Sequence, residues 1–141
     1  MICNTYSELF AGKIIKKIRG CEKHSDEMTI LFEDGSYLKF YHRQDCCETV
    51  GLEDCDIIPE WLIGSKMISV EERIYRSGEG IKPLDNCAES YTWSFYAIKT
   101  SSSTMVLRWY GESNGWYSET VDIDYGYYDK NGEFKIKTIN L

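Results

Sequence analysis

Residues 106–120 hold the densest group of chemically useful side chains in the sequence. The stretch Val-Leu-Arg-Trp-Tyr-Gly-Glu-Ser-Asn-Gly-Trp-Tyr-Ser-Glu-Thr contains one arginine, two acids, two serines and four aromatic rings. Arginine forms paired hydrogen bonds with carboxylates and phosphates, and its planar group stacks on aromatic rings. The composition therefore predicts non-covalent binding of a planar or anionic ligand, and it does not suggest a site that breaks bonds.

The Asn114-Gly115 pair predicts a turn between two strands, at residues 104–110 and 117–125. Side chains alternate along a strand, so this hairpin would place Arg108, Tyr110, Tyr117 and Glu119 on one face. With a four-residue loop Arg108 lies directly opposite Glu119. Two interpretations stay open, because Arg108 either contacts a ligand or forms a cross-strand ion pair with Glu119. The predicted ligand-binding residues are Arg108, Tyr110, Ser113, Asn114, Tyr117 and Glu119.

A second cluster, residues 42–48, combines His42 with Cys46, Cys47 and Glu48, and Cys55 follows closely. Histidine and thiolates can ligate zinc, and a Cys–His pair can act as a nucleophile. However, adjacent cysteines cannot readily ligate one tetrahedral ion, and the paired C-x-x-C spacing is missing. The sequence also lacks the G-x-S-x-G, H-E-x-x-H and Walker motifs. We therefore expect no catalytic residues, no metal and no cofactor, and hence not an enzyme.

Size and charge restrict the class of protein. The 141 residues fit a single domain, 1–141. The net charge of −7 and the pI near 4.9 disfavour nucleic acid as a partner, but they permit a small anionic ligand or a basic protein. The sequence shows no signal-like start and no apolar run of membrane length. We expect a cytoplasmic protein that does not enter the membrane, with its six cysteines reduced.

Turn signals and alternation predict the elements that position these residues. The Asx-Gly pairs at 34–35, 114–115 and 131–132 predict three hairpins. At the first, a two-residue turn would pair Phe32 with Tyr37 and Leu31 with Leu38. Residues 91–100 alternate as a half-buried strand, 58–63 resemble a short helix, 66–75 fit either strand or helix, and 46–56 fit strand or loop. The predicted fold class is α+β, mainly an antiparallel β-sheet of hairpins with one or two short helices.

Two segments resemble a known family. These are YHRQDCCETVGLED at 41–54, with the motif QDCCE, and SYTWSFYAIKTSSSTMVLRWYGESNGWYSETVDI at 90–123, with the motif RWYGESNG. They are similar to small proteins of unknown function encoded by phages and prophages, over roughly residues 12–125. The chain also resembles signal-sequestering proteins of the Thoeris anti-defence type.

The second resemblance implies a function and a site. It implies a phage counter-defence protein in the host cell cytoplasm that sequesters a nucleotide-derived immune signal of the cyclic ADP-ribose type without cleaving it. Pockets of that group lie between subunits of a homo-oligomer, which implies a homo-oligomer here. The lining that this implies is Arg108, Tyr110, Ser113, Asn114 and Tyr117.

Two other functions compete with ligand sequestration. The alternative is an acidic protein–protein inhibitor that covers a basic site on a host factor, which the charge of −7 favours. A metal-dependent enzyme using His42 with nearby cysteines or acids ranks third. Ligand retention, a single basic partner and bound metal would distinguish the three.

Overall fold

The computed structural model describes residues 4–128 and 134–135. The fold is mainly antiparallel β-sheet with little helix, which confirms the predicted class. The elements are helix α1 (Asn4–Phe10), strands β1 (Ile15–Arg19), β2 (Glu27–Phe32), β3 (Ser36–Tyr41) and β4 (Thr49–Cys55), a 3-10 helix (Pro59–Leu62), and strands β5 (Met67–Arg76), β6 (Ser90–Thr100), β7 (Thr104–Ser113), β8 (Asp122–Tyr128) and β9 (Phe134–Lys135). In the described residues, no helix is both long enough and apolar enough to span a membrane.

The strands form two sheets within the described part of the chain. The first has the order β1-β2-β3-β8-β9 and the second has the order β4-β7-β6-β5. Alternate residues of both sheets meet in one apolar core, which includes Leu38 and Phe40 from β3 and Tyr96, Leu107 and Trp109 from β6 and β7. Burial of each such side chain contributes about 1.5–3 kcal/mol. Trp109 thus faces the core, whereas its neighbour Arg108 points outwards.

The first predicted hairpin forms, but its register differs from the prediction by one residue. Leu31 pairs with Tyr37 and Ile30 pairs with Leu38, so the predicted pairing of Phe32 with Tyr37 is wrong. The loop has three residues, and it ends at Gly35 with a φ of 85°, a conformation that favours glycine. The Asp34 carboxylate accepts the backbone N–H of the residue that opens β3, at 2.9 Å.

The predicted hairpin around Asn114-Gly115 does not form. Both edges of β7 are already paired, one with β4 and the other with β6, so no edge remains for residues 117–125. The chain instead leaves the second sheet after Ser113 and joins the first, where β8 pairs with β3. We call residues 114–121 the crossing segment. The prediction that Arg108, Tyr110, Tyr117 and Glu119 share one sheet face is therefore wrong.

The remaining elements have the types that the sequence predicts, but some of their bounds differ from the prediction. The short helix at 58–63 is the 3-10 helix, and the ambiguous segment 66–75 is strand β5. Strand β4 occupies the second half of 46–56, and the first part is a loop. The Asn131-Gly132 turn lies outside the described residues, as does the rest of the predicted strand after Lys135.

The expectation of reduced cysteines is wrong for four of them. Disulfide bonds join Cys21 to Cys55 and Cys46 to Cys47, and Cys87 is a free, exposed thiol. The first bond spans the two sheets, since Cys21 follows β1 and Cys55 ends β4. Folding brings these two Cα atoms to 6.4 Å, within the usual range for a disulfide. Counting cysteines in a sequence does not reveal such proximity.

Candidate functional site

The six predicted ligand-binding residues lie in two separate places. Arg108 and Tyr110 belong to the outer face of the second sheet. Ser113, Tyr117 and Glu119 lie around the end of β7 and the crossing segment, and Asn114 forms the turn between them. The Asn114 side chain accepts the backbone N–H of Trp116 at 3.0 Å. The structure thus divides the predicted site and gives each half its own partners.

Arg108 is paired with Asp54 and not with Glu119. Its Nε donates to Asp54 Oδ1 at 2.8 Å, and its Nη2 donates to the second carboxylate oxygen. The guanidinium also lies over the Trp93 ring, 5.6 Å from the centroid. The hydrogen bond from Arg108 lowers the pKa of Asp54, and the same bond raises the pKa of Arg108. The predicted Arg108–Glu119 pair is therefore wrong, although Arg108 does form a cross-strand ion pair.

Tyr110 anchors the loop between β5 and β6, and it lines a cleft of about 280 Å³ that is separate from the other predicted site residues. It is 8% exposed, and its hydroxyl donates to Glu112 at 2.6 Å and accepts the backbone N–H of Leu84 at 3.2 Å. Burial raises the pKa of Tyr110. Two further aromatic side chains bond carbonyl groups of the same loop, Tyr91 to Ile81 and Trp93 to Lys82. This aromatic face is consequently occupied by the chain itself.

Glu119 is a buried carboxylate held by hydroxyl groups. It is 8% exposed, Thr92 Oγ1 donates to it at 2.9 Å, and the Ser113 hydroxyl donates to its other oxygen. Among the described residues no lysine or arginine lies within ion-pair distance of it. A carboxylate has about four acceptor positions. The two hydroxyl donors therefore leave acceptor capacity for another polar group.

Glu119 lies in a polar cleft of about 370 Å³ between the ends of β5 and β6 and the crossing segment. Arg76 supplies a cation to this cleft, and it pairs across the strands with Thr92, the residue that holds Glu119. We call this the Glu119 cleft. Its lining includes Arg76, Tyr91, Thr92, Tyr117 and Glu119, with the hydroxyl groups of Ser77, Ser90, Ser118 and Thr120. A cation, a carboxylate and several hydroxyl groups thus converge there, whereas the Tyr91 ring packs against Tyr110 on the other face of β6.

A buried contact between His42 and Glu48 fixes the crossing segment beside this cleft. His42 Nδ1 lies 2.8 Å from the Thr120 carbonyl oxygen, and Nε2 lies 2.8 Å from Glu48 Oε2. Both ring nitrogens of His42 are thus engaged by acceptor groups, the Thr120 carbonyl and the Glu48 carboxylate. Glu48 also accepts the backbone N–H groups of Cys46 and Asp45, at 2.8 and 3.0 Å. His42 therefore has a structural role, with no nitrogen left for a metal.

Acid should weaken the contact between Glu48 and His42. The backbone N–H of Cys46, aided by His42, lowers the pKa of Glu48 from 4.5 to about 2, although burial opposes the shift. A lowered pKa in the folded state gives stability that is fully present above pH 4.5 and lost as pH falls towards 2. We expect Glu48→Gln to be less stable than wild type at neutral pH and to lose less stability between these two pH values. Urea unfolding across that range measures both effects.

The matched control for this prediction is Glu60→Gln, a change of the same kind on the exposed surface of the 3-10 helix. It should reproduce the wild-type loss of stability in acid. If Glu48→Gln and wild type instead decline in parallel, Glu48 does not carry the acid sensitivity.

Sequence patterns missed Arg76 and Thr92 as site residues. Arg76 ends β5 and Thr92 lies near the start of β6, and the pairing of these two strands brings them together. The sequence feature that could have pointed to the cleft is the hydroxyl-rich run at 117–120. The hairpin prediction assigned this run to an ordinary strand. Its hydroxyl groups line the cleft because the crossing segment leaves the sheet.

Comparison with known proteins identifies the family. The family described as Domain of unknown function (DUF7448) matches residues 8–123, from within helix α1 to the start of β8. No curated protein matches the chain, and no solved structure does. The matched range contains the whole second sheet, strands β1 to β3 of the first sheet and the complete Glu119 cleft. The chain therefore belongs to the DUF7448 family.

Proposed function

We propose that this protein binds and sequesters a small nucleotide-derived ligand, without cleaving it, in the Glu119 cleft. The observation that carries the proposal is the convergence there of the Arg76 cation and the hydroxyl-bonded Glu119 carboxylate. The resemblance of the chain to phage-encoded proteins supplies the setting. In that setting the protein acts in counter-defence, and the ligand is an immune signal of the cyclic ADP-ribose type.

Each side chain of the cleft matches one part of such a ligand. The Arg76 guanidinium suits a phosphate, which accepts paired hydrogen bonds from arginine. The spare acceptor positions of Glu119 suit ribose hydroxyl groups, and the Tyr117 side chain offers a surface for a base. The volume of about 370 Å³ lies in the range of small-molecule sites. These groups recognise charge, hydroxyl groups and a planar ring together.

Capture without turnover is supported by the hydrogen bonds that already hold the groups able to transfer protons. Glu119 already accepts hydrogen bonds from Thr92 and Ser113. Both ring nitrogens of His42 are engaged by fixed acceptors. General acid–base catalysis needs a positioned group that is able to exchange a proton with the substrate. We propose that these residues hold the cleft in shape and leave the ligand intact.

A homo-oligomer in the host cell cytoplasm completes the proposal. Trp116 follows Gly115 at the rim of the Glu119 cleft and is 84% exposed. Large exposed aromatic side chains are enriched where protein surfaces meet. A second copy that covers this rim would enclose the ligand between subunits.

The test is to mix pure protein with each isomer of cyclic ADP-ribose, remove free ligand, denature the protein by heat and identify what is released. We expect one isomer to be released unchanged. Arg76→Ala should weaken retention by roughly tenfold or more, which corresponds to loss of a charge-assisted hydrogen bond. Because Arg76 is exposed, its loss should change the free energy of unfolding by less than about 0.5 kcal/mol.

Arg108→Ala is the matched control, since it removes the same side chain from the outer face of the sheet. It should retain the ligand as well as wild type does. Loss of retention in Arg108→Ala but not in Arg76→Ala would move the site to that outer face. A converted product would show an enzyme, and no retention of any isomer by wild type would reject the proposed ligand class.

A further inference from the structure

An exposed apolar surface surrounds the 3-10 helix, on a different part of the molecule from the Glu119 cleft. Trp61 is 61% exposed, and its neighbours Ile58 and Ile63 are also exposed. We call these three side chains the Trp61 surface. Isolated exposed apolar residues are ordinary, but exposed tryptophan and isoleucine beside one cleft, as Trp61 and Ile58 are, are typical of an interaction site.

The Trp61 surface borders an acidic cleft of about 580 Å³. Its lining contains the carboxylates of Glu53, Asp54 and Asp56, whereas Lys23 is the cation among its lining residues in the described chain. Lys23 pairs with Glu53 at 3.1 Å. Asp56 accepts the backbone N–H of Val106 at 2.7 Å, which fixes its carboxylate at the edge of the second sheet. Arg108 pairs with Asp54, so Asp56 is the lining carboxylate with no lysine or arginine within ion-pair distance in the described chain. The cleft thus combines apolar contact area with one unpaired negative charge.

We propose that the Trp61 surface and this cleft dock a basic segment of a different protein. An apolar side chain of that segment packs on Trp61, and a lysine or arginine side chain of the segment faces Asp56. Complementary charge favours such a partner and accelerates its association. A second copy is disfavoured as occupant, because a two-fold contact places the same acids opposite one another. This docking activity is separate from ligand capture and does not depend on it.

Selection from a displayed library of random peptides tests the proposal with the intact protein as target. The enriched peptides should carry at least one lysine or arginine residue together with a large apolar residue. Trp61→Ala should weaken a synthetic enriched peptide by about tenfold or more, as expected for an anchoring tryptophan. Trp116→Ala removes an even more exposed tryptophan from another surface and should leave the affinity for the peptide unchanged.

Two further measurements decide the role of charge and the identity of the occupant. Asp56→Asn should weaken the peptide and reduce its sensitivity to salt between about 0.05 and about 0.5 M. Trp61→Lys should abolish binding through repulsion, and circular dichroism should show that each variant is folded. Enrichment of acidic or uncharged peptides, or equal effects of Trp61→Ala and Trp116→Ala, would overturn the proposal. So would a dimer in sedimentation that Trp61→Ala dissociates, since the occupant would then be a second copy.

Discussion

Replacing Cys21 and Cys55 together by serine is expected to lower the free energy of unfolding by about 4 kcal/mol. The bond joins residues 34 positions apart, and a loop of that length restricts the unfolded chain strongly. It also ties the end of β1 in the first sheet to the end of β4 in the second. Its loss therefore removes a covalent link between the two layers of the core.

Urea unfolding of the oxidised wild type and of the Cys21→Ser, Cys55→Ser double variant measures this effect. The matched control is the Cys46→Ser, Cys47→Ser double variant, because a bond between adjacent residues closes no long loop. We expect the control to lose much less stability than the first pair does. Addition of a reductant to wild type should reproduce the loss seen on replacing Cys21 and Cys55. A loss below about 1 kcal/mol on replacing Cys21 and Cys55 would contradict the entropic argument.

Replacing Gly111 by alanine is expected to cost about 3 kcal/mol, at the upper end of the usual range for overpacking. A Cβ at this position overlaps the backbone carbonyl oxygen of Glu119 and meets Val50 Cγ2 at 3.0 Å. Both neighbours are constrained, since Val50 is in β4 and the crossing segment is held by Thr92 and His42 through hydrogen bonds. The added methyl group must push Glu119 away from the sheet.

Gly51→Ala is the control for this change. Gly51 is in the neighbouring strand β4, and a Cβ there meets its nearest atom, the Ser25 carbonyl oxygen, at 3.4 Å. Chemical denaturation should show a change below about 1 kcal/mol for Gly51→Ala. If the Glu119 cleft binds the ligand, Gly111→Ala should also weaken retention. Equal stability of the two variants would show that the crossing segment moves freely off β7.

Local features of the fold could be predicted from the sequence because their causes are local. Alternation of side chains identified the strand at 91–100, although residues 91–94 are buried on both faces and not on one. Asp34-Gly35 identified the first hairpin. The register of that hairpin could not be read, since it depends on whether the loop has two or three residues. The sequence also indicated correctly that Trp109 and Arg108 point to opposite faces.

The candidate site could be predicted only in part, because its contacts join distant positions. The partner of Arg108 is 54 positions away, at Asp54, and the partner of Glu119 is Thr92 on another strand. Asn-Gly is a strong hairpin signal, but it was overridden because β4 and β6 occupy both edges of β7. The order of the strands in each sheet depends on packing of the whole core and not on one turn.

The position of the second sheet within the chain bears on how the first sheet is completed. Strands β3 and β8 pair Tyr41 with Asp122, which by itself requires closure of a loop of about 80 residues. Strands β4 and β7 lie inside this loop, and they pair Thr49 with Glu112. Once that pair has formed, the remaining open chain is about 16 residues, which lowers the entropic cost of closure by about 1.4 kcal/mol. Pairing of β4 with β7 in the second sheet thus brings β3 and β8 of the first sheet close together before they pair.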